Sequence, residues 1–157
     1  MPDVSAEELE ELKRLQLVEE SVIAGLREQD FSEKAIELFR TRRNFILQED
    51  PLRDQADVIG SYTGSCGDHI ELYLDVEDDT IVNARYFTDG CPGAVTSAAA
   101  LSVIIDGMAI DEARSLGVPD IVDFLEEGSR GLPKNMHDCA GIAVGSLRDA
   151  MAELGFE

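Results

Sequence analysis

The chain has 157 residues and carries 33 Asp and Glu against 13 Lys and Arg, a formal net charge of −20. This length suits one domain with one core, and a hydrophobic content of 44% is too high for a disordered chain. The negative charge argues against non-specific nucleic-acid binding and against binding to an anionic membrane, because both need clustered Lys and Arg. The acidic start and the short apolar runs indicate no signal peptide or membrane span, so we expect a cytoplasmic protein with reduced thiols.

The first predicted element is an amphipathic helix. It begins with the capping-box pattern Ser5-Ala6-Glu7-Glu8 and ends near Gln29–Asp30. Its apolar positions recur at helical spacing: Leu9, Leu12, Leu15, Leu17, Val18, Val22, Ile23 and Leu26. We interpret residues 1–29 as an N-terminal helical extension and residues 30–157 as the main domain. The extension either packs on that domain or binds a partner.

A second helix is predicted after Ser32, and a dense basic cluster, Arg40, Arg42 and Arg43, follows near its end. The cluster either complements the helix dipole or forms a docking patch. The stretch 48–55 contains Pro51 and several charges, which predicts a loop.

Three strands are predicted next: Val58–Thr63, His69–Val76 and Ile81–Phe87. In the second, Ile70, Leu72, Leu74 and Val76 share one face. In the third, Ile81, Asn83, Arg85 and Phe87 alternate with Val82, Ala84 and Tyr86. The turn Glu77-Asp78-Asp79 joins the last two strands into a hairpin, so the pattern predicts an antiparallel three-stranded meander with one buried face.

The C-terminal half changes to helical patterns. A nearly uncharged helix is predicted from Pro92 to Ile105, followed by short helices at 111–116 and 119–127. A last helix opens at His137 or Asp138 and runs to about Leu154. The whole order predicts an α+β fold in which a three-stranded antiparallel sheet packs against helices.

The three cysteines all lie at boundaries between elements. Cys66 lies in a glycine-flanked turn, whereas Cys91 and Cys139 lie at predicted helix N-termini, where the dipole favours thiolate. Asp68 follows Cys66 by two residues, and His137 and Asp138 directly precede Cys139. Three Cys with one Asp or His is a donor set that suits zinc or an iron–sulfur cluster.

Residues 31–154 resemble the iron–sulfur cluster assembly scaffolds, the IscU proteins and the N-terminal domain of NifU. The motifs are Cys66-Gly67-Asp68, Thr88-Asp89-Gly90-Cys91-Pro92 and Cys139-Ala140. The resemblance implies a carrier rather than an enzyme: it receives sulfur from a cysteine desulfurase, assembles a [2Fe–2S] cluster with iron, and passes it to apo-proteins. It implies Cys66, Cys91 and Cys139 as ligands, with Asp68 as the ligand that keeps the cluster labile. We expect Cys139, exposed at its helix start, to accept the persulfide.

The chain departs from the family pattern at two motifs. The usual His before the third Cys is Asp138 here, with His137 one residue earlier, so the fourth ligand stays open between Asp68, His137 and Asp138. Leu132-Pro133 matches only the first two residues of the family's chaperone-recognition motif, which argues against chaperone recognition. The alternative function is that of the SufU branch, in which the same pocket holds zinc and relays sulfur. Whether two subunits of a homodimer share one cluster also stays open.

Overall fold

Helices flank a run of three consecutive strands, in the order that the sequence predicts. The computed structural model describes residues 5–155, except for the side chains of residues 8, 9 and 11–19 in the first helix. The strands are β1 Val58–Thr63, β2 His69–Glu77 and β3 Thr80–Thr88. The helices are α1 Ala6–Glu28, α2 Glu33–Thr41, α3 Pro51–Asp54, α4 Pro92–Ile105, α5 Ile110–Ala113, α6 Val118–Leu125 and α7 His137–Glu153. The predicted α+β class is therefore confirmed.

The sheet is a meander in the order β1-β2-β3, and both pairs of neighbouring strands are antiparallel. Asp78 and Asp79 form the β2–β3 turn in the left-handed conformation, with φ of 51° and 59°, which Asp tolerates better than most residues. The predicted meander is confirmed. Its register brings the β1–β2 loop and the end of β3 to the same end of the sheet, because Thr63 pairs with His69 and Ile70 with Thr88.

Two long helices form one layer on the inner face of the sheet. α7 packs across β1 and β2, α4 packs across β3, and the two helices pack on each other. Gly60 permits the close approach of α7, because a Cβ there would lie 2.1 Å from the carbonyl oxygen of Ser146. α4 is buried on most sides, as its lack of charge predicts.

The face alternation in β3 differs from the prediction at its first residues. Val76 pairs with Ile81, one residue out of register with the rest of the ladder, so Val82 becomes the extra residue of a β-bulge. The bulge turns Ile81 into the core with Ala84 and Tyr86 and leaves Val82 39% exposed. The predicted grouping of Ile81 with Asn83, Arg85 and Phe87, and of Val82 with Ala84 and Tyr86, is wrong.

The outer face of β2 is also covered, whereas the sequence predicts one buried face. The predicted loop at 48–55 contains the short helix α3, which Asp50 caps through the backbone N–H of Leu52 at 2.9 Å. This segment covers Glu71 and Tyr73, which are 8% and 2% exposed. The Glu71 carboxylate accepts hydrogen bonds from the side chains of Gln48, Arg53, His69 and Tyr73. Although burial opposes it, these bonds hold the pKa of Glu71 below its ordinary value.

The N-terminal part follows the predicted helices. Ser32 caps α2 by accepting a hydrogen bond from the N–H of Ala35, and its hydroxyl donates to the carbonyl of Leu125 at 2.6 Å. α1 packs on α2, and its residues Ile23 and Leu26 are buried in the core. The side chains of Leu9, Leu12, Leu15, Leu17 and Val18 lie outside the described residues. Within 5–155, no helix is long and apolar enough to span a membrane.

Candidate metal centre

Three separate segments meet at the end of the sheet where the β1–β2 loop lies. They are the loop itself, the junction between β3 and α4, and the first turn of α7. The ligand atoms of Asp68, Cys91 and Cys139 all lie within 4.8 Å of one another. The two sulfurs are 3.5 Å apart. Two sulfurs and a carboxylate oxygen at this spacing form a donor set that suits zinc or the iron of an iron–sulfur cluster.

Cys91 is held by the start of α4. It is the N-cap residue, in extended conformation, and Pro92 follows at the first helical position, where its fixed φ suits a helix start. The carbonyl of Cys91 accepts hydrogen bonds from the N–H groups of Ala94 and Val95, which anchors the residue to the first turn. The prediction that Cys91 lies at a helix N-terminus is confirmed, and the positive end of the α4 dipole faces the site.

Cys139 is buried, and the expectation that its thiol is exposed is wrong. It is the third residue of α7 and is 6% exposed. Burial, then the hydrogen bond and charge of Cys91 and the charges of Asp68 and Cys66, raise the pKa of the Cys139 thiol to about 12. Desolvation outweighs the helix dipole here. Cys139 therefore carries a proton at neutral pH until a cation takes its place.

Cys66 lies at the edge of this group rather than inside it. The loop is closed by the N–H of Gly64 donating to the carbonyl of Asp68 at 2.9 Å, and by the N–H of Gly67 donating to the carbonyl of Gly64 at 3.0 Å. Gly67 adopts a φ of +92°, which glycine allows. The Cys66 thiol is exposed and is not among the atoms within 4.8 Å of one another. Its charge nevertheless contributes to the raised pKa of Cys139, so the third sulfur stands close by.

His137 and Asp138 are the first two residues of α7, directly before Cys139. The Nε2 atom of His137 makes a hydrogen bond with the carbonyl oxygen of Leu132 at 3.0 Å. Both residues line a cavity of about 400 Å³, and Cys66 and Tyr62 line it as well. Neither His137 nor Asp138 is among the converged donors, whereas Asp68 is.

Sequence reasoning missed the residues that make room for the sulfurs. A Cβ at Gly93 would lie 2.9 Å from Met136 Sδ and 3.1 Å from Cys139 Sγ. A Cβ at Gly90 would lie 3.0 Å from the Asp68 carboxyl carbon and 2.9 Å from the Ala94 side chain. The signal was present, because both glycines flank Cys91-Pro92 in the sequence. What they contact could not be deduced without the other two segments.

Comparison with known proteins agrees with the resemblance seen in the sequence. Residues 30–155 match the family model of the NifU-like N-terminal domain. The nitrogen fixation protein NifU of Trichormus azollae is 34% identical over 126 residues, which cover 78% of this chain and 41% of that protein. The iron–sulfur cluster assembly scaffold protein IscU 1 of Archaeoglobus fulgidus is 29% identical over 124 residues, which cover 78% of this chain and 75% of that protein.

Solved structures share the fold. The N-terminal part of a NifU-like protein from Brucella abortus superimposes with a TM-score of 0.56 at 12% identity, covering 83% of this chain and 97% of that one. The chain spans about two fifths of the length of the NifU relatives that it matches first. The family match covers most of the chain, includes all three cysteines, and agrees with the α+β architecture. This chain therefore belongs to the NifU-like N-terminal domain family.

Proposed function

We propose that this protein is a scaffold on which an iron–sulfur cluster is assembled and from which the cluster passes to apo-proteins. The cluster is cargo rather than a resident cofactor. The observation that carries the proposal is the convergence of Asp68, Cys91 and Cys139, whose ligand atoms lie within 4.8 Å of one another although they come from three distant segments. The names of the IscU and NifU relatives support it.

A [2Fe–2S] cluster takes four ligands from a protein, one more than the three converged donors. We propose Cys91, Cys139 and Asp68 as three ligands and Cys66 as the fourth, brought in by a small movement of its loop. Gly67, with a φ of +92° and open space around it, gives the loop the freedom to move. Asp68 is favoured over His137 and Asp138, since only Asp68 is among the converged donors and His137 already bonds with the Leu132 carbonyl.

Asp68 is the ligand that allows the site to release the cluster. A carboxylate is a harder ligand than a thiolate and binds iron–sulfur centres less firmly, so it dissociates more easily. A carrier needs a cluster that is held but can be given up. The proposed cargo is therefore bound by sulfur on one side and by a replaceable oxygen on the other.

The buried Cys139 changes the expected route of sulfur. A thiolate attacks the terminal sulfur of a donor persulfide, forms a new persulfide and releases the donor thiolate, so the acceptor must be accessible and deprotonated. Cys66 is exposed, whereas Cys139 is buried and its pKa is raised to about 12. We propose that Cys66 takes the acceptor role that the sequence analysis expects of Cys139 from its place at a helix start. The donor is a cysteine desulfurase.

A second candidate function is a zinc-bound sulfur relay of the SufU type. The observation that favours it is the single-ion spacing of the donors. The sulfurs of Cys91 and Cys139 are 3.5 Å apart, a separation that two sulfurs bonded to one zinc ion at about 2.3 Å can span, and the Asp68 carboxylate lies within 4.8 Å of both. Zinc would then hold the pocket in the apo state, and sulfur would still arrive at Cys66.

Anaerobic reconstitution separates the two functions. Protein purified without oxygen is incubated with ferrous iron, sulfide and dithiothreitol, and its absorption and Mössbauer spectra are recorded. A scaffold gives a brown protein with [2Fe–2S] spectra and transfers the cluster to an apo-ferredoxin. A protein that takes up zinc but never the cluster would exclude the scaffold function and favour the relay.

The remaining parts of the proposal concern the chain as a whole. We propose that residues 1–29 are an extension to a scaffold domain at 30–157, and that the partners are a cysteine desulfurase and apo iron–sulfur proteins. The net charge of −20 favours partners with basic docking surfaces. Sedimentation of the apo and loaded forms tests whether two subunits share one cluster.

A further inference from the structure

One buried hydroxyl group connects the two sides of the metal centre. The Oγ1 atom of Thr88 donates a hydrogen bond to the carbonyl oxygen of His69 at 2.7 Å. The Oγ1 atom of Thr88 also accepts a hydrogen bond from the N–H of Gly90 at 3.1 Å. His69 directly follows Asp68, and Gly90 directly precedes Cys91. The hydroxyl therefore lies between the backbone that carries the carboxylate donor and the backbone that carries a sulfur donor.

Gly90, which donates a hydrogen bond to this hydroxyl, also packs against the side chain of Asp68. A Cβ at Gly90 would lie 3.0 Å from the Asp68 carboxyl carbon and 3.2 Å from its Cβ. Asp68 thus packs directly against the Gly90 backbone. A shift of Gly90 would change both the support of the Asp68 side chain and the position of Cys91.

We propose that Thr88 is a positioning residue that fixes the separation of Asp68 and Cys91 in the metal centre. This inference rests on the proposed function. Both hydrogen bonds of the Thr88 hydroxyl go to backbone groups next to the donors, and Thr88 acts through these two groups. Residues that orient metal ligands in this way are typically worth 10–100-fold in metal affinity.

The chemistry requires a hydroxyl at this place. One oxygen atom must donate to a backbone oxygen and accept from a backbone N–H at the same time, which among small side chains only the hydroxyls of Ser and Thr can do. Thr88 is 5% exposed, so water has little access to replace the lost bonds. Valine has nearly the same shape but no hydroxyl, and it would leave the His69 carbonyl and the Gly90 N–H without this partner.

The test compares Thr88→Val with Thr88→Ser and with Thr80→Val. Thr80 begins the same strand at the opposite end of the sheet, where its hydroxyl makes only a 3.4 Å bond to the Asp78 carbonyl. Cobalt(II) is titrated into the apo protein, and the sulfur-to-cobalt charge-transfer and d–d bands are followed. We expect the cobalt dissociation constant to rise about 10-fold in Thr88→Val and to stay within about twofold in the other two variants.

Two further measurements distinguish positioning from general destabilisation. Amide exchange of Gly90 in the metal-free protein should accelerate in Thr88→Val and not in Thr88→Ser, because only valine removes the acceptor. In an Asp68→Ala background, adding Thr88→Val should cost much less affinity than it does in the native chain. Should Thr88→Val fail to fold, Thr88→Ser and Thr88→Ala provide a pair that differs by the hydroxyl alone.

The outcomes are separable. Equal cobalt affinity and equal spectra in Thr88→Val and the native protein would overturn the positioning role and leave the scaffold function intact. A full 10-fold loss that persists in the Asp68→Ala background would overturn it as well, since the hydroxyl would then act on something other than the Asp68–Cys91 separation. A native protein that binds neither cobalt nor a cluster would refute the proposed function itself.

Discussion

The metal centre has two halves that are built differently. We call Cys91 and Cys139 the floor, because Cys91 caps α4 and Cys139 lies in the first turn of α7, two helices packed in the core, and their sulfurs are 3.5 Å apart. We call the loop at 64–68 the rim, because it carries the exposed Cys66 and the half-buried Asp68. In the proposed scaffold this difference divides capture from release: the rigid pair of sulfurs would retain the metal, and the loop would supply the donors that close over it or leave.

The structural reason for the difference is backbone packing. α4 and α7 pack on each other and on the sheet, so the floor cannot move without disturbing the core. The rim is a short turn held by two backbone hydrogen bonds and by the Thr88 hydroxyl. Local opening of such a turn costs far less free energy than unfolding the helices.

The largest expected effect is the difference in metal affinity between a variant of the floor and a variant of the rim. Cys139→Ala removes a floor sulfur, and we expect the cobalt affinity to fall by more than about 100-fold, beyond what the loss of a residue that merely orients a ligand costs. Cys66→Ala removes the rim sulfur, and we expect a fall of only about 10-fold. Competition titration against a chelator measures both. Equal losses in the two variants would contradict the division into floor and rim.

Thiol reactivity gives the second comparison. In the metal-free protein at about pH 8, we expect iodoacetamide to modify Cys66 at least about tenfold faster than Cys139, since only thiolate reacts. Because the pKa of Cys139 is raised to about 12, its thiolate fraction rises with pH throughout the range from neutral to strongly alkaline. Its rate should therefore increase about tenfold per pH unit while the fold persists. Peptide mapping by mass spectrometry follows each site, and equal rates at pH 8 would be inconsistent with a buried floor.

A smaller effect concerns the oxygen donor of the rim. In reconstituted protein, we expect Asp68→Ala to slow the loss of the cluster to a chelator about threefold, because the easily replaced carboxylate is gone. Asp138→Ala is the matched control: it removes an exposed carboxylate that lies outside the converged donors, and should leave the rate unchanged. Bleaching of the visible absorption under anaerobic conditions measures the rate. Faster loss in Asp68→Ala would mean that Asp68 retains the cluster.

The fold could be predicted closely where the signals were local. The alternation in His69–Val76 and Val58–Thr63 gave strand bounds within a residue of the observed ones, and Ser32 marked the start of α2. The bulge at Val82 escaped prediction because it depends on the register with the partner strand. The burial of Glu71 was not predicted either. Alternation predicts that this face of β2 is open, whereas Gln48 and Arg53 of a distant segment cover it and bond to Glu71.

The candidate site was less predictable than the fold. Motif spacing identified the three cysteines and Asp68, and helix starts at Cys91 and Cys139 followed from Pro92 and from the C-terminal periodicity. The burial of Cys139 did not follow, because it depends on packing between segments: Gly93 of α4 lies close to its sulfur in the folded protein. The accessibility of each sulfur depends on how distant segments pack together, and local sequence patterns do not contain that information.

The last comparison tests how tightly the floor is packed, using two glycine-to-alanine changes within helices. In Gly93→Ala the new Cβ would lie 2.9 Å from Met136 Sδ and 3.1 Å from Cys139 Sγ. We expect the free energy of unfolding to fall by about 1 kcal/mol through overpacking. Gly25→Ala in α1 meets no atom within 4 Å, and we expect it to stabilise the protein by up to about 1 kcal/mol through helix propensity. Urea unfolding of the metal-free variants measures both. A stabilising Gly93→Ala would show that Met136 yields easily and would contradict a tightly packed floor.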